Sequence, residues 1–503
     1  MDSQERCCGM ITRALVCCLL MSSALLSQSY HWFDDSGVAK SSTRFQDVPR
    51  SVWSHMRCEV PRARVLSGDT IEVSGGHAIR LIGVDAPNDR SVDGPKAIAA
   101  AREYLRQLIQ NQALTLRFDR RMKSETYETY AYVYAKSKLL NEEMLNSGLA
   151  RAIRKPGTTR LLTRLENAQS LARAARRGVW SKTGHTPIPR RDTKLPFRGF
   201  SLGLYSSERN FDYRPFIREM KAMGARDLML ITPWFMATPD VYSIKPRKGR
   251  STPLPEVARV VRQAREAGFS VTLMPIVLLT KAPDDKWRGN IKPVDHDAWF
   301  GGYNEFICQF ADLAELSGVD VFCVGSELSS MEHHEAKWRE VIGNVKSRYR
   351  GQLSYSANWD HLKTIKWWDL MDYVGMTGYH SLTKKKDPSV AEIATAWSRI
   401  RDNLVKIGEG IGKPYFFTEL GYASLDGINM NPWDYVSPPD LDEKEQADCY
   451  RAWISAWGRK GGLFRGAFFY TWWRNNDDSD AREYSVHGKP AEKILRDWMK
   501  SAK

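Results

Sequence analysis

From about residue 199 the chain settles into a rhythm in which short, nearly continuous apolar runs alternate with longer stretches whose apolar positions recur every three to four residues. A continuous apolar run bounded by turn residues marks a strand buried on both faces, and the longer spacing marks an amphipathic helix. The pattern predicts strands at 199–205, 227–234, 270–277, 319–324, 352–357, 373–379, 414–418 and 466–472. It predicts helices at 211–223, 254–267, 302–317, 335–347, 388–407 and 443–459. Eight strand–helix steps over about 300 residues have the count and size of a (β/α)8 TIM barrel. A doubly wound open sheet is the competing fold, but no glycine-rich phosphate turn follows the first strand.

Upstream the pattern is different. Strand-like runs at 63–73 and 78–84 surround Ser67-Gly68-Asp69 and Gly75-Gly76, helical spacing covers 97–109, and 131–135 is a further strand. A small β-barrel with helices fits this region. Pro187-Ile188-Pro189-Arg190-Arg191 interrupts the chain with proline and charge, as a domain boundary does. The expected organisation is a small barrel domain at 58–182, a linker at 183–195 and the large barrel at 196–503. Polar, aperiodic residues 30–57 read as a second linker. In residues 1–29, Arg13 precedes the apolar stretch Ala14 to Leu26, and Ser27 and Ser29 follow as small residues. This predicts a signal peptide, or an uncut signal-anchor, and hence export to the periplasm or the extracellular space. Membrane attachment follows only if the segment stays uncut.

Composition narrows the class. With 42% hydrophobic and 26% charged residues the chain is globular. Its 17 tryptophans and 20 tyrosines suit a sugar-binding cleft. A formal charge of +15 attracts polyanions, whether nucleic acid, acidic polysaccharide or a membrane surface. Cys7, Cys8, Cys17 and Cys18 fall in the leader; Cys58, Cys308, Cys323 and Cys449 have no metal-type spacing. Cys308 and Cys323, in apolar surroundings, read as buried thiols.

The candidate chemistry lies in two segments, Val324-Gly325-Ser326-Glu327 and Phe416-Phe417-Thr418-Glu419, each of which runs an apolar strand into a glutamate. A carboxylate placed there is costly unless its charge is used. In a TIM barrel the two would emerge at the C-terminal ends of the fourth and seventh strands, where active sites form. Paired carboxylates about 5 Å apart make a retaining glycosidase, whereas more than ~6.5 Å implies inversion. Trp234, Asn358-Trp359, Tyr379 and Trp472-Trp473 sit at or just past predicted strand ends, where rings stack on sugar faces and amides and hydroxyls bond sugar hydroxyls. Interior packing is the competing reading. Successive strand residues face opposite sides, and Trp472 is taken as the sugar platform.

At these residues the chain resembles clan A glycoside hydrolases, most of all family 113, over about residues 196–500. The matching segments are Trp287-Arg288-Gly289 with Pro293 and Trp299, Gly325-Ser326-Glu327-Leu328, Ser354-Tyr355-Ser356-Ala357-Asn358-Trp359, Gly378-Tyr379 and Thr418-Glu419-Leu420-Gly421. The resemblance implies that Glu327 is the acid/base, Glu419 the nucleophile, and Tyr379 the residue that orients it. It implies a β-linked, mannan-like polysaccharide as partner and no cofactor, with no metal in the barrel. The candidate substrate contacts are Trp234, Trp287, Trp299, Ser326, Asn358, Trp359, Tyr379 and Trp472. Ser326 stands where many clan A enzymes have asparagine. The charged loop from Thr280 to Phe300 either favours a charged glycan or is simply solvated.

The first domain resembles the thermonuclease (staphylococcal-nuclease-like) family over about residues 58–182, which implies an OB-type barrel. The matching segments include Val65-Leu66-Ser67-Gly68-Asp69-Thr70-Ile71, Arg80-Leu81-Ile82-Gly83-Val84-Asp85-Ala86-Pro87, Ala131-Tyr132-Val133-Tyr134, Asn141, Gly148-Leu149-Ala150 and Gly178-Val179-Trp180. An active member would use two aspartates for calcium, a glutamate as base and two arginines as a phosphate clamp. Asp69, Asp85 and Arg80 match those positions, while Asn88 replaces the base and Glu128 the second arginine. Nuclease activity is not expected, although Asp69 and Asp85 could hold a cation weakly. Basic stretches at 102–121 and 151–177 either track a nucleic acid or other polyanion or form a solvated face. Two other readings stay open: a nucleic-acid binder or nuclease acting through this domain, and a catalytically silent glycan receptor.

Overall fold

The computed structural model describes residues 30–33, 39–42, 57–73, 76–89, 91–118, 129–154, 161–181, 191–192, 194–208, 210–281, 286–434, 440–458, 461–473 and 480–501. The predicted leader and Glu128 lie outside them. No helix among the described residues is long and apolar enough to cross a membrane.

The first domain is built from β1 (Arg57–Val60), β2 (Arg64–Val65), β3 (Thr70–Val73), β4 (His77–Leu81), β5 (Val84–Asp85), α1 (Pro95–Ile109), β6 (Leu114–Arg117), β7 (Thr129–Ala135), α2 (Leu140–Asn146), β8 (Arg151–Ala152) and α3 (Leu162–Ala174). Strand order in the sheet is β1-β6-β7-β4-β3-β2, with β5 paired to β8. The run predicted at 63–73 is broken in two because the amides of Leu66 and Ser67 both turn back to the Thr70 carbonyl. Buried Asn141 accepts from the Val133 amide at 2.9 Å and donates to the Ile82 carbonyl at 2.8 Å, fixing α2 against the sheet.

The second domain is a closed barrel of eight parallel strands in sequence order. They are β9 (Phe197–Gly203), β10 (Asp227–Met236), β11 (Ser270–Leu279), β12 (Val321–Ser326), β13 (Gln352–Ala357), β14 (Tyr373–Thr377), β15 (Tyr415–Leu420) and β16 (Phe464–Phe469), and β16 pairs with β9 to close the ring. Helices α4 (Arg214–Ala222), α5 (Leu254–Glu266), α6 (His296–Ser317), α7 (Glu335–Arg348), α8 (Val390–Ile411), α9 (Glu443–Trp457) and α10 (Pro490–Ser501) surround it. Phe197, Met229, Met274, Cys323, Tyr373, Phe416 and Phe468 fill the interior, so the ring is a packed core. Every residue of β10 is buried, which is why its sequence shows no polar alternation.

Both long helices are bounded by their own sequence. The Asp295 carboxylate accepts from the Ala298 amide to start α6, and Ser389 with Glu392 forms a capping box on α8. Gly318 and Gly412 end these helices at φ 75° and 72°, a left-handed turn that any side chain would strain. Between β13 and β14 there is only a short 3-10 turn, Trp368–Leu370, where a regular barrel has a helix. Trp367 and Trp368 take its volume: the Trp367 ring stacks on Trp338 at 4.9 Å, and both tryptophans pack against Tyr355. Cys308, Cys323 and Cys449 are buried free thiols.

Candidate active site

Glu327 follows directly on β12, where the β12–β13 register shifts between Cys323 and Ser326. Its φ is 51°, an uncommon conformation for a residue with a side chain, of the kind that concentrates at functional sites. The backbone is held there by the Glu327 amide donating to the Ser356 carbonyl at 2.8 Å. Glu419 sits inside β15. Phe416 points into the barrel and Phe417 toward the helices, so strict alternation would send Glu419 outward. Register shifts against both neighbouring strands re-aim it.

The two carboxylates meet around Arg288, which stands in a short turn of the third loop. Arg288 forms an ion pair with Glu327 and also feels the charge of Glu419. The Tyr379 hydroxyl donates to Glu419 at 2.9 Å. Burial and the neighbouring Glu327 charge push the Glu419 carboxyl up to about 7, while Arg288 and Tyr379 pull it down. Both glutamates are more than nine-tenths buried, and burial is the larger cause of the rise at Glu419.

The other predicted contacts divide. Tyr379 joins the carboxylates. Asn358 is half-buried, accepting from Thr377 at 3.3 Å and donating to Asp360 at 2.8 Å. Half-buried Trp359 stacks at 6.4 Å on Trp433, which is 47% exposed. Trp287 is 38% exposed and lies over the Cα of Gly289, where an added Cβ would come within 2.5 Å of its ring. Ser326 is buried and its hydroxyl has no protein partner.

Three tryptophans are corrected. Trp234 packs on Phe306 and Phe310 of α6, Trp299 stacks on Tyr303, and both are buried in the barrel wall. Trp472 is only 1% exposed, donates its indole N–H to Glu219 of α4 at 3.2 Å and packs on Phe200 and His487. The assignment fails because β16 ends at Phe469, three residues before the predicted end. Tyr470 stands at the barrel mouth instead, interacting with Tyr205 and within the field of Glu419. Sequence reading missed Tyr470 and Trp433 as aromatic neighbours of the site and the role of Arg288. Only the triplet Trp287-Arg288-Gly289 hinted at that arginine.

In the first domain, Asp69 accepts from the Ser67 and Thr70 hydroxyls at 2.7 and 2.9 Å and pairs with Arg80 at 3.3 Å. Asp85 pairs with Arg348 of the second domain at 3.0 Å. Asn88 is exposed. These residues do not fit a cation, because guanidinium and hydroxyl groups already take the carboxylate oxygens. Among the described residues, Asp426, Asp442 and Glu445 form the acidic group with metal-like spacing. Lys386 already pairs with Asp426, and Glu445 accepts from the Gly427 and Asn429 amides.

An eight-stranded parallel barrel with two buried glutamates, one just past its fourth strand and one within its seventh, is the arrangement that glycoside hydrolases use. The chain belongs to glycoside hydrolase family 113, which matches residues 203–489, more than half of its length. Its first domain belongs with the staphylococcal nuclease homologues, which match residues 78–182. The β-mannanase AaManA from Alicyclobacillus acidocaldarius is similar at 26% identity and a TM-score of 0.55, covering 61% of this chain and 98% of that one. A further family 113 β-1,4-mannanase, at 23% identity and a TM-score of 0.54, covers 61% of this chain and 99% of its own and shares the fold. The thermonuclease of Staphylococcus hyicus is 31% identical over 123 residues, which are 24% of this chain and 73% of the thermonuclease.

Proposed function

We propose that the protein is a retaining glycoside hydrolase that cleaves a β-linked, mannan-like polysaccharide by double displacement. The observation that supports this most is the coupling of Glu327 and Glu419 through Arg288 at the barrel mouth. Glu327 gives its proton to the glycosidic oxygen while the Glu419 carboxylate attacks the anomeric carbon, breaking the bond to the leaving sugar and forming a glycosyl ester. Glu327, now ionised, takes a proton from water, whose oxygen attacks the same carbon and releases Glu419. Both steps balance without a cofactor.

Arg288 has a specific part in this scheme. Paired with Glu327 and attracted to Glu419, it places positive charge between the two carboxylates. Its attraction to both carboxylates lets it turn toward Glu419 once a sugar is bound, leaving Glu327 free to act on the glycosidic oxygen. Tyr379 holds the Glu419 oxygen in line. Trp287, Trp359, Trp433 and Tyr470 supply the ring faces along the cleft.

Sugar release from β-1,4-mannan by Glu327→Gln and Glu419→Ala is expected to fall by roughly a thousandfold or more. Both variants should keep the parent's circular dichroism. Near-parental turnover in either would overturn the proposal. Arg288→Met is expected to lower kcat and shift the pH profile of hydrolysis, and a change in KM alone would remove the charge-pairing role.

A further inference from the structure

The charges shared between the two domains are arranged around Arg348, the last residue of α7, which is fully buried. Its guanidinium pairs with Asp312 of α6 at 2.8 Å on its own side. Across the boundary it pairs with Asp85 at 3.0 Å and donates to the Ala152 carbonyl at 3.2 Å. A carboxylate and a backbone carbonyl converging on one point are the oxygen donors a hard cation takes, and here a guanidinium satisfies them. Arg151 of the first domain, equally buried, reaches back to Asp312 at 2.8 Å and holds Asp93 at 2.7 Å. Arg80 closes the other side by bridging Asp69 and Glu305 of α6, each at 3.3 Å.

Contacts to backbone groups repeat the arrangement. Asn344 of α7 accepts from the Arg154 amide at 2.8 Å and donates to the Arg154 carbonyl at 3.0 Å, pairing with that backbone as a strand would. Arg173 of α3 donates to the Ser347 carbonyl at 2.8 Å and the Arg348 carbonyl at 3.4 Å. A cation on those carbonyls caps the C-terminal end of α7, where the helix dipole is negative.

We propose that the Arg348 guanidinium holds Asp85 and the Ala152 carbonyl in place of a cation, while Arg80 holds Asp69. That domain is then a brace clamped onto α6 and α7, not a cation-binding or polynucleotide-binding module. The two braced helices follow the loops that carry Arg288 and Glu327, and the clamp grips mainly their C-terminal halves, at the end of the barrel away from the glutamate pair. Arg151 and Arg173, two of the basic residues that could have tracked a polyanion, are spent in this interface.

The proposal is tested on the full-length protein by hydrogen–deuterium exchange and calcium titration. Arg348→Met should speed exchange roughly tenfold on both sides of the boundary, in 83–86 and 151–154 as well as in 344–350, because it leaves charged partners unpaired. Should that variant not fold, Glu305→Gln and Asp85→Asn are expected to show smaller rises on the same two sides. The parent protein should give no heat of calcium binding that Asp85→Asn removes. An exchange rise confined to 344–350, or calcium binding by the parent that Asp85→Asn abolishes, would overturn the brace.

Discussion

Glu327 and Glu419 could be read from the sequence because a charge that ends an apolar strand stands out against its surroundings. What could not be read is how each is aimed. Alternation alone would turn Glu419 toward the helices, and only the register shifts beside β15 bring it to Glu327. The same limit misplaced Trp472, whose side followed from a strand end drawn three residues too far along. Burial raises the Glu419 carboxyl to about 7, above its value of about 4.3 in an unfolded chain. The fold therefore favours the protonated form, a contribution that is complete below the unfolded value and lost as pH rises through about 7. Glu419→Gln, neutral throughout, is expected to be more stable than the parent by roughly 3 kcal/mol near pH 8 and little different near pH 4. Urea unfolding at the two pH values checks this; equal stability at both would mean that the carboxylate is not held under strain. Gly289→Ala should drive the Trp287 ring out of position, raising KM for mannan with little change in melting temperature.

At the scale of elements, the barrel strands were legible because buried parallel strands are written as uninterrupted apolar runs. The start of α8 was legible within two residues of its cap Ser389, whereas its end was drawn at Ile407 and the helix runs on to its cap Gly412. The step from β13 to β14 was not, since its volume is filled by Trp367 and Trp368 from an irregular segment with no period to detect. These rings replace a helix, so Trp367→Ala should cost about 3–5 kcal/mol, measured as a loss in the unfolding midpoint. A loss below 1 kcal/mol would show that the segment is not a structural substitute. α10 was also unforeseen, although its apolar positions Ala491, Leu495 and Met499 repeat at helical spacing.

For the whole molecule, sequence separates two folds and cannot show what joins them. Arg348, Arg151 and Asp312 are far apart along the chain and individually look like surface charges, yet they form one buried network. Their meaning depends on tertiary placement, which leaves no local pattern. The first domain thus carries a nuclease-like fold whose Asp69 and Asp85 are paired with arginines, and the second carries the buried glutamate pair. That division stands or falls on the reaction itself. The most direct measurement is proton NMR of the sugar first released from β-1,4-mannan by the full-length protein, recorded before mutarotation. Retention through a Glu419 ester predicts the β-anomer as the initial product; an α-anomer, or no release, would contradict it.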